Sequence, residues 1–230
     1  FVLYNWSGKR GIYVRDRESG EFWSPSWYPV NVELDAYQCR HGLQYTIITA
    51  QRSGIEVEWT ITVHPTDACE IWRLAVRNLS GRQRQVDICT YNDLDLSFKD
   101  PYFGSCNLFK GERLSDRLFF VRNDSFKASG TRYAVACQST QPVDQFDLSE
   151  AAFLKRYSSL SAPGAIIHDA FTNSMPERSD ACYALNYTLD LAPDSDWQTE
   201  LLFFSATHDA EVRKRADDYA DMASRSNGVP

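Results

Sequence analysis

The sequence lacks several patterns that would each identify a class of protein. No apolar run approaches the roughly 20 residues that a transmembrane helix requires, and its six cysteines form no CxxC pair. A phosphate-binding glycine loop, a dinucleotide fingerprint and a G-x-S-x-G nucleophile elbow are also missing. The four histidines are far apart, and none stands in metal-ligand spacing with another. The sequence therefore gives no sign of a membrane span, a nucleotide site or a metal centre.

The sequence also has no excess of basic residues. The formal net charge is −7 and the pI is near 5.1. Nucleic-acid binding depends on basic patches that neutralise phosphates. The charge balance therefore argues against a nucleic-acid partner.

The cysteines are unevenly spaced, and several lie inside apolar strand patterns, where a reduced thiol behaves as a small hydrophobic side chain. They are Cys39, Cys69, Cys89, Cys106, Cys137 and Cys182. A chain of 230 residues does not need disulfides to be stable. We therefore expect free thiols and a cytoplasmic protein. The chain opens on Phe1-Val2-Leu3-Tyr4 without an initiator methionine or a secretion-signal pattern, which suggests a piece of a longer protein.

Period-two alternation dominates the chain and predicts antiparallel strands. From Ile55 to Val63 every odd position is apolar and every even position is Glu or Thr. Further strands are expected at Ile71–Val76, Val86–Tyr91, Leu118–Val121, Ala134–Cys137, Tyr183–Leu191 and Leu201–Phe204. Many short strands separated by Gly, Pro and Asp turns are typical of a β-sandwich or barrel.

Two helices interrupt this pattern. One is predicted over Asp147–Tyr157, with Ser149 as its N-cap. The other is predicted over Ala210–Ala223, where Val212, Ala216, Tyr219, Ala220 and Ala223 share one face. It is followed by the polar tail Ser224–Pro230, which we interpret as a linker.

The stretch from Tyr13 to Val30 is the candidate functional segment, since it is too aromatic for an ordinary loop and too interrupted for a core strand. Trp23, Trp27 and Tyr28 suit a sugar platform, because a pyranose ring has an apolar C–H face; alternatively they fill the edge between two sheets. Arg15 and Asp16 offer hydrogen bonds to a ligand or pair structurally. As neighbours on a strand, they would point to opposite faces. His41 is either a ligand contact or a structural turn residue.

These residues resemble the N-terminal β-sandwich domain of the cellobiose-phosphorylase-like enzymes, glycoside hydrolase family 94. The resemblance rests on Arg15-Asp16, Gly20, Trp23-Ser24, Trp27, Pro29, His41-Gly42, Tyr45, Glu70-Ile71-Trp72, Asn78-Leu79-Ser80, Phe146-Asp147, Phe153-Leu154, Arg156-Tyr157 and Pro163. It implies an all-β antiparallel two-sheet supersandwich, galactose-mutarotase-like, over residues 1–207. Residues 208–230 would then begin a linker helix toward a catalytic (α/α) barrel.

The resemblance also implies a function. The complete enzyme would transfer a glycosyl group from a β-linked glucoside to inorganic phosphate as co-substrate, with an aspartate acid in the barrel, as a cytoplasmic homodimer. This chain would then face the oligosaccharide without catalysing anything alone. Glu150 stands where the family often carries an arginine that reaches a sugar site, so the charge there is reversed. Two alternatives stay open, a free-standing carbohydrate-binding module and a purely structural scaffold.

Overall fold

The alternation that begins at Ile55 forms a strand with the predicted bounds, Ile55–Val63. Its inward side chains Ile55, Val57 and Trp59 are buried, while the Glu and Thr residues between them are partly exposed. The computed structural model describes residues 9–94, 99–100, 104–105, 108–124, 133–176, 181–206 and 209–226. Within these ranges the chain is mostly β-structure.

The strands and helices are numbered in chain order. The strands are β1 (Arg10–Asp16), β2 (Phe22–Trp23), β3 (Ala36–His41), β4 (Tyr45–Arg52), β5 (Ile55–Val63), β6 (Cys69–Asn78), β7 (Arg84–Leu94), β8 (Lys99–Asp100), β9 (Gly104–Ser105), β10 (Phe109–Arg113), β11 (Leu118–Asn123), β12 (Tyr133–Ser139), β13 (Gln145–Ser149), β14 (Ala181–Leu191) and β15 (Asp196–Ala206). The helices are α1 (Glu150–Leu154), α2 (Gly164–Ile167) and α3 (Asp209–Ser226).

The strands form two large antiparallel sheets. The five-stranded sheet has the order β13-β14-β7-β1-β2, and the eight-stranded sheet has the order β10-β11-β12-β15-β6-β5-β4-β3. The short pair β8 and β9 forms a separate ribbon. The predicted antiparallel two-sheet sandwich is therefore confirmed.

The main core lies between the two sheets. Trp72, in the middle of the large sheet, is fully buried and packs edge-on against Trp59 and Phe203, with ring centroids 4.9 and 4.8 Å apart. Ile88 and Leu185 of the five-stranded sheet complete the same cluster. Aromatic residues thus fill the space between the sheets, where burial of large apolar area stabilises most.

A second core lies under α3, on the outer face of the eight-stranded sheet. Val212, Ala216 and Tyr219 of α3 are buried there, with Phe204 among the strand residues beneath them. These three are part of the helix face that the sequence predicted; the side chains of Ala220 and Ala223 lie outside the described residues, as does the end of the tail. The role of α3 as a linker toward a barrel stays a prediction.

Two expectations about element bounds are corrected. The helix predicted over Asp147–Tyr157 is only Glu150–Leu154, because Asp147 belongs to β13 and Lys155 has a positive φ of 62° that ends the helix. The stretch Tyr13–Val30 was expected to be too interrupted for a core strand, but its first residues belong to β1 (Arg10–Asp16), in which Ile12, Tyr13 and Val14 are buried. Strand β1 is buried on both faces, so it shows no alternation.

The five cysteines within the described ranges are free thiols, and Cys106 lies outside those ranges. Burial raises the pKa of Cys89, Cys137 and Cys182 well above the usual value, so these thiols are protonated at neutral pH. None of the helices in the described ranges has the length and hydrophobicity that a bilayer-spanning segment requires.

A polar contact anchors α3 to the loop before β6. Asp67 accepts hydrogen bonds from the Tyr219 hydroxyl and from Arg215, whose other Nη donates to the Ser205 carbonyl at 2.6 Å. The Tyr219 hydrogen bond, helped by Arg215, holds the pKa of Asp67 below its usual value. The contact therefore favours the ionised carboxylate in the folded chain.

We predict that this contact weakens in acid. Because the pKa of Asp67 is lower in the folded chain than in the unfolded chain, the contact stabilises the fold fully at pH values above the unfolded pKa, near about 4. This stabilisation is lost as the pH falls through the folded-state pKa. The free energy of unfolding, measured with urea at several pH values, should fall by up to about 1 kcal/mol more in the wild type than in Asp67→Asn. Parallel pH curves for the two proteins would contradict this.

Candidate functional site

The outer face of the five-stranded sheet is the candidate site, because two loop segments cover it and present aromatic side chains. Tyr13 and Tyr91 lie on this face beneath α1. The Phe153 ring stacks on Tyr91 with centroids 5.0 Å apart and an interplanar angle of 22°, and lies 5.8 Å from Tyr13. Helix α1 is thereby fixed over the middle of the sheet.

The first covering segment is the loop 24–34. The buried Ser24 hydroxyl donates to the Ile12 carbonyl at 2.5 Å, which ties the start of the loop to β1. Pro29, which follows a cis peptide bond, lies against Gly11, where a Cβ would be only 3.3 Å from the Pro29 Cδ. Between these two anchors, Trp27 and Tyr28 are 54% and 51% exposed.

The second covering segment runs from α1 to α2 and meets the first over Tyr13. The Tyr13 hydroxyl donates to the Leu160 carbonyl at 2.8 Å. Burial raises the pKa of Tyr13 far above its usual value, and the nearby Cys89 and Tyr28 add to this shift. Val30 of the first segment and Leu160 of the second both pack against the cluster that contains Tyr13.

A strained turn after α1 presents a further aromatic side chain. Lys155 and Tyr157 both have positive φ, 62° and 65°, which is unfavourable for residues with a Cβ. Tyr157 is 92% exposed, and the Arg156 guanidinium lies over its ring at 5.0 Å. Gly164 lets α2 pack against this turn, because a Cβ there would be 2.4 Å from the Lys155 Cγ.

Glu150 is directed into the fold rather than away from it. Its side chain is 12% exposed, its Oε1 accepts from the Tyr91 hydroxyl at 3.1 Å, and Lys9 Nζ lies 3.2 Å away. In the described part of the chain this carboxylate therefore links α1 to β7 and to the residue before β1. The negative charge of Glu150, which stands where the resembled family often carries an arginine, therefore has a structural partner in Lys9.

Arg15 and Asp16 point to opposite faces of β1. Arg15 lies on the outer face and pairs with Asp87 at 3.2 Å; Arg17 and Thr188 also donate to this carboxylate. Asp16 pairs with the buried Arg84 at the end of the sandwich. Burial of Asp16 opposes its ionisation, but hydrogen bonds from the Ser19 amide and from Arg84 outweigh this and lower its pKa. Both residues are thus held by partners in the fold.

Two of the expected site residues lie elsewhere. Trp23 is 5% exposed and packs in the core between the sheets, opposite Val14 of β1, so the expectation that it forms a sugar platform is corrected: its ring is not accessible. His41 is exposed at the end of β3 in the other sheet, where its Nδ1 lies 3.0 Å from the Thr46 hydroxyl.

The first covering segment thus exposes Trp27 and Tyr28, and the second exposes Arg156 and Tyr157; we call these four residues the aromatic surface. Exposed rings stack on the C–H face of a sugar, and the guanidinium donates to hydroxyls. Arg156 and Tyr157 were part of the family resemblance, but no binding role was expected of them; the available signal was an aromatic residue beside an arginine just after a short helix. In the described ranges no group of three or more His, Cys, Asp or Glu is placed to hold a metal ion.

Comparison with known proteins agrees with this architecture. The model of the family "Glycosyl hydrolase 94, supersandwich domain" matches residues 7–222. The chain belongs to this family. The chain is also similar in fold to a solved structure titled "Putative kojibiose phosphorylase from human microbiome", with a TM-score of 0.54, at 10% identity over 95% of this chain and 26% of that one. At that identity the likeness supports the fold alone.

Curated relatives of this supersandwich domain are longer proteins. It is 28% identical to solabiose phosphorylase of Paenibacillus borealis, over 90% of this chain and 27% of the relative. It is 29% identical to N,N'-diacetylchitobiose phosphorylase of Vibrio furnissii, over 79% of this chain and 23% of the relative. The chain thus spans only about a quarter of the length of these relatives.

The two tryptophans of the candidate segment should differ sharply in their contribution to stability. Trp23→Ala should lower the free energy of unfolding by about 3–5 kcal/mol, because it leaves a cavity in the core. Trp27→Ala should change it by no more than about 0.5 kcal/mol, since that ring is half exposed. Urea unfolding followed by circular dichroism measures both, and equal losses would show that the assignment of core and surface is wrong.

Proposed function

We propose that this chain is the carbohydrate-facing, non-catalytic N-terminal domain of a glycoside phosphorylase that acts on β-linked glucosides. The observation that carries the proposal is the family match over residues 7–222, in a chain that spans about a quarter of relatives named phosphorylases. The aromatic surface supports a sugar-facing role, since it offers Trp27, Tyr28 and Tyr157 to solvent.

The chemistry belongs to the rest of such an enzyme. Inorganic phosphate, as co-substrate, would attack the anomeric carbon while an aspartate acid protonates the leaving oxygen, with inversion at that carbon. Among the described residues of the candidate surface, Glu150 and Asp87 are both held by partners in the fold, so neither is placed as a free acid for this role. The catalytic barrel, the homodimer and the cytoplasmic location are parts of the same proposal.

Two readouts on the chain of 230 residues test the proposal. With cellobiose and phosphate, we expect no glucose 1-phosphate above background, because the barrel is missing. Titration with cellobiose should quench tryptophan fluorescence, and Trp27→Ala should abolish the quenching. Tyr37→Ala is the matched control, since Tyr37 is 53% exposed but lies on β3 of the other sheet.

Each outcome separates the candidate functions. Turnover by the chain alone would overturn the non-catalytic assignment. Tight binding in the absence of any other domain would favour a free-standing carbohydrate-binding module, which the exposed rings of Trp27 and Tyr28 also suit. Quenching that survives in Trp27→Ala, or no binding to any β-linked glucoside, would contradict a sugar-facing role for the aromatic surface and favour a purely structural scaffold.

A further inference from the structure

A groove of about 610 Å³ lies on the outer face of the eight-stranded sheet, on the other side of the sandwich from the aromatic surface. Helix α3 covers one part of this sheet face, and the groove occupies another. Its volume falls within the range of small-molecule sites. The lining comes from β4, β5, β6, β15 and the turn after β12: Ile47, Glu58, Thr60, Arg73, Leu74, Ala75, Arg77, Thr140, Gln141, Gln198, Thr199 and Glu200.

The concave shape follows from the register of the strands. Ala75 on β6 lies between Glu58 of β5 and Gln198 of β15, so a small side chain forms the floor between longer neighbours. The turn after β12 forms one wall and is held by hydrogen bonds. Gln141 Nε2 donates to the Gln198 carbonyl at 3.1 Å, and the Thr140 amide donates to the Glu200 carbonyl at 2.9 Å.

The charges in the groove balance. Its lining has two arginines and two glutamates, and Arg73 pairs with Glu200 at 2.5 Å while Arg77 pairs with Glu56 just outside at 3.3 Å. The Glu58 carboxylate has no hydrogen-bond or ion-pair partner among the described residues. A phosphate chain or another polyanion would meet these carboxylates, so the groove suits a neutral ligand that both donates and accepts hydrogen bonds.

An apolar strip lies at the β4 edge of the groove. Ile47 and Tyr45 are two residues apart on β4 and therefore face the same side, about 7 Å apart along the strand. Tyr45 is 46% exposed and its ring packs over Gly42, where a Cβ would be 2.4 Å from the Tyr45 Cε1. Of these two, Ile47 lines the groove itself, beside Thr60, Glu58 and Gln198, so the lining offers both apolar and polar groups, as an amphipathic sugar ring requires.

We propose that this groove is a second carbohydrate-binding site, which takes a neutral oligosaccharide, separate from the aromatic surface. The sugar class rests on the proposed function, whereas the location, neutrality and amphipathic lining rest on the groove itself. Such a site would hold a sugar chain on the side of the sandwich opposite the aromatic surface.

Calorimetric titration of the 230-residue chain with cellotetraose, and with tetragalacturonic acid as an anionic counterpart, tests the site. Ala75→Trp, which fills the floor, should weaken cellotetraose binding at the groove about tenfold or more, and Ala75→Ser is the matched control that leaves it open. Glu58→Ala should weaken binding by a similar factor; since its carboxylate has no partner in the described fold, this variant should fold normally. The neutral sugar should bind more tightly than the acid.

The same titrations distinguish failure of this inference from failure of the proposed function. Binding that is lost in Trp27→Ala but unchanged in both Ala75→Trp and Glu58→Ala would overturn the groove site and leave the aromatic surface in place. Binding lost only in the groove variants would support the groove and contradict the aromatic surface. No binding of cellotetraose to the wild-type chain, or tighter binding of the galacturonic acid, would overturn the second site and indicate that the groove serves another contact.

Discussion

Burial of both faces of the five-stranded sheet is the constraint on which the candidate site depends. One face packs against the eight-stranded sheet, and the other lies under α1, α2 and the loop 24–34. Strands β7 and β14 are buried over most of their length as a result. Charged side chains on the covered face must then find partners within the fold, because a buried unpaired charge costs several kcal/mol.

Those partners determine what remains for a ligand. Asp87 takes its partners from β1, β14 and the residue after β1, and Asp147 accepts four hydrogen bonds at its Oδ1 from Thr172 and Ser174. Glu150 is committed to Tyr91 and Lys9. The acids of this face therefore hold the covering segments in place, while the rings of Trp27, Tyr28 and Tyr157 stay exposed. Such an arrangement is compatible with the binding role proposed above.

Sequence patterns predicted those strands that have one face exposed to solvent. Strand β5 alternates because Glu56, Glu58 and Thr60 contact solvent, and its bounds came out correctly. Strand β1 does not alternate, since Ile12, Tyr13 and Val14 are all buried, so its pattern looked irregular. Trp23 and Trp27 are only four residues apart, but Trp23 lies in β2 and is buried, whereas Trp27 lies in the following loop with a φ of 65° and is exposed. The exposure of Tyr157 depends on positive φ values that local sequence does not specify.

Hydrogen–deuterium exchange of the backbone amides measures the two-sided burial most directly. Amides of β7 and β14 should exchange slowest, through global unfolding, and much more slowly than those of β3, which lies at a sheet edge with nearly every residue exposed. If the amides of β7 and β14 exchanged as fast as those of β3, then α1, α2 and the loop 24–34 would not protect the outer face of the five-stranded sheet from solvent. The account of how the aromatic surface is held would then be wrong.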